Sequence, residues 1–239
     1  ERIAWGMTNV GDSQDLFLEK RKQDDPLLFR YDGQWERAKV RKEKIQVKDQ
    51  EQPEVIKVIT TRHGPLISES PPLSLCWTAY EIEASTIDAI FGVNRADNWE
   101  EFKRSLRDFS IPIQAVVYAD VDGNIGFRTA GHLPIRKQGK GLAPSPGWEP
   151  QYGWEGFVPP EEKPQAFNPD EGFLATANHR VTSKDYPYAV HLDAAPPYRM
   201  QRIVNYLNKR EELTPRDSMR LQNDWYNRPA AEQLPRWVE

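Results

Sequence analysis

The sequence predicts an α+β domain, rich in strands in its first half and closed by helices at its end. Three observations carry that reading. Apolar residues alternate with polar ones through much of residues 3–130. Two Asp-Gly turns sit between such runs, at Asp32-Gly33 and Asp122-Gly123. Helical spacing then takes over after residue 197.

Taken in order, Ile3 to Thr8 is the first strand candidate, and Leu16 to Glu19, in "DLFLEKR", is the second. Asp32-Gly33 lies between an aromatic run and Trp35 and predicts a hairpin. Residues 55–68 and 73–83 add further strands. A helix follows with Asp97 as its N-cap and Phe102, Leu106 and Phe109 at helical spacing. The stretch 113–134 is the clearest hairpin, turning at Asp122-Gly123-Asn124. Residues 136–170, rich in Gly, Pro, Lys and Trp, predict a surface excursion with little regular structure. A short strand from Gly172 ends in Asn178, His179 and Arg180. Two helices complete the chain, about Pro197 to Lys209 and about Pro215 to Trp225, the second with Thr214 as N-cap and Pro215 at N1. Neither a repeat nor a linker divides the chain, so a single unit over 1–239 is expected.

Composition narrows the function classes. The chain has 239 residues, 38% of them hydrophobic, with eight Trp, nine Tyr and nine Phe to fill a core. Basic and acidic residues number 32 and 36, a balance that leaves no footprint for nucleic acid or an anionic membrane. Apolar runs stay short of a membrane span. Cys76 is the lone cysteine, so an internal disulfide is excluded. P-loop, dinucleotide-binding, HExxH, CxxC and GxSxG signatures are absent, and the four His show no zinc spacing. Taken alone, these features describe a β-rich domain without an evident nucleophile. The aromatic content would suit a non-catalytic module, such as one that binds glycans.

Five segments change that picture. "AWGMTNVGDSQDLFLEK" (4–20), "RHGPLIS" (62–68), "YADVDGNIGFRTAGHLPIR" (118–136), "GFLATANHRV" (172–181) and "APPYRMQRI" (195–203) resemble, in the same order, segments of the penicillin acylases, which are N-terminal-nucleophile amide hydrolases. The resemblance implies a four-layer αββα fold, of which this chain would be an internal part of the catalytic β chain. It implies acyl transfer by an N-terminal Ser that precedes this chain and is freed by precursor self-cleavage, with that residue's own α-amine as base. The chain by itself is therefore expected to be inactive. The substrate would be a small N-acyl amide of the penicillin type. An acyl-homoserine lactone acylase of the same superfamily is the alternative.

Residue by residue, the resemblance places the side-chain amide of Asn178 and the backbone N–H of Asn9 as oxyanion donors. It places Arg199 beside the nucleophile as an organiser of charge and hydrogen bonds, with Arg202 as a neighbouring competitor. Asp12, Asp15 and the main-chain carbonyl of Gln14 are expected to hold calcium, although the position of a further family acid falls near Val190. His179, one residue past Asn178 on a strand, would face the other way and serve no catalytic role. Trp148 and Trp154 are expected to pack rather than to bind sugar. The resemblance also implies a companion α chain from the same precursor and a periplasmic or extracellular location.

Overall fold

The computed structural model describes residues 2–11, 13–80, 85–190, 193–210 and 212–238. Eight strands come first: β1 (Ile3–Asn9), β2 (Gln14–Leu18), β3 (Leu28–Tyr31), β4 (Gln34–Arg37), β5 (Lys39–Ile45), β6 (Glu54–Thr61), β7 (Gly64–Glu69) and β8 (Pro72–Trp77). Helices α1 (Thr86–Arg95) and α2 (Trp99–Ser105) follow. Then come β9 (Gln114–Asp120), β10 (Ile125–Ala130), β11 (Pro134–Arg136), β12 (Ser145–Pro146), β13 (Trp154–Phe157) and β14 (Gln165–Phe167). Helices α3 (Tyr198–Leu207), α4 (Pro215–Gln222) and α5 (Arg228–Gln233) end the chain.

Two sheets carry most of the structure. One has four strands in the order β1-β9-β10-β14, the other six in the order β12-β2-β8-β7-β6-β5. The central strand β9 explains how the first is covered. Successive side chains of a strand point to opposite faces. Val116 and Tyr118 therefore join Ala89, Val93, Trp99, Phe102 and Leu106 of the helical layer formed by α1, α2 and the turn after them. Ala115, on the other face, joins Val10, Ile113, Phe127, Leu133, Val158 and Val190. A strand buried on both faces loses its polar alternation, as "QAVVY" does.

The hairpin β9–β10 turns where expected. Gly123 supplies a φ of +87° that residues with a Cβ resist. Asp120 closes the turn. Its carboxylate accepts from the backbone of Asp122 (3.0 Å) and Asn124 (2.9 Å), from the Asn124 amide (2.9 Å) and from the Tyr118 hydroxyl (2.7 Å). Desolvation alone would raise its pKa, but these hydrogen bonds outweigh it and hold the group down at about 2, against an ordinary 3.8. A carboxylate with a depressed folded pKa contributes stability above its unfolded value and loses it as pH falls through the folded one. Acid unfolding of the intact protein should therefore include a component between about pH 4 and pH 2 that Asp120→Asn removes. Unchanged acid limbs in the two proteins would overturn this.

Several sequence expectations need correction. α1 was not anticipated, and the N-cap of α2 is Asn98 rather than Asp97: its Oδ1 accepts from the Glu101 N–H at 3.0 Å. The strand expected over 73–83 is β8 up to Trp77, followed by a 3₁₀ turn at Thr78–Tyr80, and residues 81–84 lie outside the described residues. The excursion 136–170 holds three short strands beyond β11. Residues 172–178 join no sheet: 173–176 have no regular structure and bends follow at Ala177 and Asn178, so the strand expected to end at Asn178 does not form. α4 matches its expected start: Thr214 and Asp217 form a capping box around Pro215. No helix among the described residues is long and apolar enough to cross a membrane.

Candidate active site

β1 is an edge strand of its sheet, paired on one side with β9. Its last residue, Asn9, stands opposite Gln114. The N–H of Val10 bonds inward to Ile113 O at 3.0 Å. Because the two main-chain groups of one strand residue point the same way and alternate along the strand, both the N–H and the C=O of Asn9 face the open edge. The C=O is satisfied there by Asn178 Nδ2 at 2.9 Å. The backbone donor of Asn9 and the side-chain amide of Asn178 therefore lie along one edge.

Asn178 reaches that edge without a strand to carry it. Its φ is +58°, in the left-handed region that Asn tolerates better than most residues. Thr176 Oγ1 and Thr8 Oγ1 clasp at 2.7 Å, tying this segment to β1. The main-chain O of Asn178 accepts from Ala195 N at 2.9 Å, which fastens the bend to the approach of α3.

Arg199, on the first turn of α3, completes the arrangement. Its Nη2 donates to Ala177 O at 2.8 Å and to Asn178 Oδ1 at 2.9 Å. A guanidinium only donates, so the Asn178 atom that faces it is the oxygen. That contact fixes the amide flip and leaves Nδ2, with two N–H groups, toward the Asn9 edge. Arg202 does not compete for this role. Its Nε and Nη2 both bind Asp224 Oδ2, at 3.0 and 2.7 Å, and its guanidinium lies 4.6 Å from the Tyr226 ring. A cleft of about 660 Å³ opens beside these groups, lined by Thr8, Thr176, Arg199, Ile203, Trp225 and Tyr226 among others.

Asn9 does more with its side chain than the sequence reading expected. Its Oδ1 accepts from Gln114 Nε2 at 2.6 Å, across the non-hydrogen-bonded pair where side chains approach most closely. Gln114 is 3% exposed. Asn9→Ala should leave that buried amide without its partner and lower stability by about 1–3 kcal/mol, while kcat of the intact enzyme changes little because alanine keeps the N–H. Urea unfolding and kinetics on one variant check both halves. A large fall in kcat at unchanged stability would overturn the assignment. His179 folds back so that its Nδ1 accepts from Ala177 N at 3.4 Å, and no strand alternation governs its direction.

The expected calcium ligands behave differently. Calcium needs free carboxylate oxygens. Asp15 is 6% exposed, and its two oxygens lie 3.0 and 2.9 Å from Arg136 Nε. The Trp154 indole donates to Oδ2, and Gly141 packs directly over the pair, where a Cβ would collide with Oδ1. Gln14 is exposed, Val190 is 3% exposed within an apolar cluster, and Asp12 lies outside the described residues. Of the expected ligands, the one described carboxylate, Asp15, has its oxygens engaged by Arg136 and Trp154. Among the described residues, no three His, Cys, Asp or Glu group together as a metal site. Trp154 thus has a packing and hydrogen-bonding role, and Lys20 Nζ sits 3.8 Å above the Trp148 ring.

Two motif residues outside this site meet as well. Glu19 Oε1 accepts from Ser74 (2.6 Å) and Thr61 (2.8 Å) and lies 3.0 Å from His63 Nδ1, beneath the stacked Phe17 and His63 rings. This buried network joins β2, β6 and β8 and accounts for the Glu-Lys and His-Gly-Pro segments as structure.

The fold is that of a penicillin G acylase: the structure matches a thermostable penicillin G acylase from Alcaligenes faecalis with a TM-score of 0.80 and 24% identity, over 92% of this chain and 40% of that one. The family model for penicillin amidase matches residues 1–239, and the chain belongs to that family. It is 36% identical over 212 residues to the acyl-homoserine lactone acylase QuiP of Pseudomonas fluorescens, covering 85% of this chain and 26% of that protein. It is 32% identical over 193 residues to the penicillin G acylase of Escherichia coli, covering 77% and 22%. The chain thus spans about a quarter of the length of these relatives.

Proposed function

We propose that the protein to which this chain belongs hydrolyses N-acyl amides through an acyl-enzyme, and that this chain supplies its oxyanion site. The observation that supports this is the placement of Asn178 Nδ2 on the open edge of β1 that Asn9 N–H also faces, with Arg199 fixing the flip of the amide. An N-terminal Ser, from a segment preceding this chain, attacks the amide carbonyl while its α-amine takes the hydroxyl proton. The carbonyl oxygen gains negative charge and is met by the Asn178 amide and the Asn9 N–H. The C–N bond breaks, the amine leaves with the proton, and water hydrolyses the ester by the reverse sequence. Donors set in place before reaction need no reorganisation as charge develops, which is where their rate advantage lies. The positive charge of Arg199 also disfavours protonation of an amine placed nearby. A companion α chain from the same precursor and an exported location belong to the same reading.

A second substrate class has a specific observation in its favour. Identity is 36% to the acyl-homoserine lactone acylase, against 32% to the Escherichia coli penicillin G acylase and 30% to a Pseudomonas penicillin acylase 2 proenzyme. Both classes present an N-acyl amide to the same donors. Kinetics of the intact, processed enzyme on phenylacetyl and fatty-acyl amides, including acyl-homoserine lactones, test the proposal. Preference within the panel assigns the acyl group, and no turnover of any member would overturn the proposal.

A further inference from the structure

Phe127 of β10 turns into the apolar face of its sheet, so Arg128, one residue on, turns to the face that carries α2. There it meets Lys103 and Arg104 of α2 and Arg107 of the following turn. Together with Glu100, Glu161 and Gln165 they line a cavity of about 250 Å³. Four cations therefore face two carboxylates.

The two acids are already engaged. Glu100 pairs with Lys103 at 2.8 Å and Glu161 with Arg107 at 2.6 Å. Among the described residues, Arg128, whose side chain is 5% exposed, has a carboxylate no closer than Glu161 at 3.9 Å, and that side chain is 62% exposed. Its short contacts are neutral: Nη1 to Gln165 Oε1 and Nη2 to Pro160 O, both 2.8 Å. Lys163, 4% exposed, likewise donates to a neutral oxygen, Gly131 O, at 2.7 Å. Burial and repulsion from Arg128 push its pKa down to about 8, and burial also lowers that of Arg128. Burying cations against neutral partners is costly unless an anion offsets the charge.

We propose that this cavity binds a phosphoryl dianion, free or as a small ester. The charge of a dianion equals the excess of the lining cations. The three arginines offer planar forks that match tetrahedral oxyanions, and Lys103 adds a point charge. The volume admits a phosphate with a short substituent. Neither the fold family nor the acyl-transfer chemistry calls for this site.

The test uses the intact, processed enzyme, with inorganic phosphate and glycerol 3-phosphate titrated by calorimetry at constant ionic strength maintained with chloride. Saturable binding and a rise in melting temperature are expected. Arg107→Ala and Lys103→Ala change exposed or half-exposed side chains, should fold normally, and should each weaken binding about tenfold. Arg128→Met should abolish it; where that variant fails to fold, the first two carry the test. Binding of both ligands supports an ester-tolerant site, and binding of phosphate alone a free-ion site. The proposal is overturned if neither binds, if chloride reproduces the thermal shift, or if the two surface variants bind like the parent.

Discussion

Asn178→Ala in the intact, processed enzyme should lower kcat by roughly 10²–10³, or about 3–4 kcal/mol, with a much smaller change in KM. Asn178 Nδ2 has two N–H groups, and Asn9 O takes one of them at 2.9 Å. An amide held in this way meets the substrate oxygen fully only once that oxygen carries charge, so its loss falls on the transition state rather than on substrate binding. Asn178→Asp should be at least as harmful. A carboxylate would repel the oxyanion, and it would also draw Arg199, now 2.9 Å from Oδ1, into an ion pair that pins the side chain. His179→Ala should be mild, since the resemblance gives His179 no part in the oxyanion site and its Nδ1 lies against the Ala177 backbone. The ordering is decisive: near-normal kcat in folded Asn178→Ala, or a greater loss at position 179, would remove Asn178 from the oxyanion site.

The largest expected effect on stability lies at Asp15. Its side chain and that of Arg136 are 7% and 4% exposed. Replacing one partner of a buried ion pair strands the other charge, at a cost of about 3–5 kcal/mol. Arg136→Met should therefore lower the unfolding free energy of the intact protein by that amount, and Asp15→Asn by somewhat less, since an amide still accepts from the Trp154 indole. The double variant should recover part of the sum, because Asp15 is then no longer a buried carboxylate facing a lost guanidinium. Equilibrium urea unfolding measures all three. Strict additivity would show that the two side chains act independently and that the contact contributes nothing of its own.

Local signals were legible where a local cause decides the conformation. The β9–β10 hairpin follows from Asp122-Gly123, and the start of α4 from Thr214, Pro215 and Asp217, all within a few residues of one another. α1 lacked such clarity. "TIDAIFGVNR" mixes β-branched residues and a glycine, and it becomes a helix because Ala89 and Val93 bury one turn apart against the sheet, behind an N-cap at Ser85. A capping signal was present at Ser85 and Asp88 but fell next to a strand-like run. Residues 172–178 illustrate the opposite error. A short apolar segment looks like a strand, but whether another strand lies beside it is a property of the whole fold. Here the segment is held instead by Thr8, Ala195 and Arg199.

The site was legible in its identities more than in its contacts. Asn178 and Arg199 were found through resemblance, and they do meet. The bond between Asn9 and Gln114 spans 105 positions, and that between Asp15 and Arg136 spans 121. No pattern in either neighbourhood announces them. A pair of acids three residues apart, Asp12 and Asp15, suggests a metal loop. A buried guanidinium arriving from another strand decides how one of them is used.

Position 9 carries two duties on different atoms. Main-chain hydrogen comes with nearly every codon, so the chemical duty places almost no restriction on which amino acid is encoded there; proline alone would delete it. The side chain is thereby released to answer to another constraint, the amide of Gln114. At position 178 both duties fall on one side chain. A random change at 9 should show itself as a folding defect at preserved turnover, whereas one at 178 should always cost turnover, whatever it does to folding, although the two residues touch. Library selections scored separately for abundance and for turnover would sort the two positions into different columns.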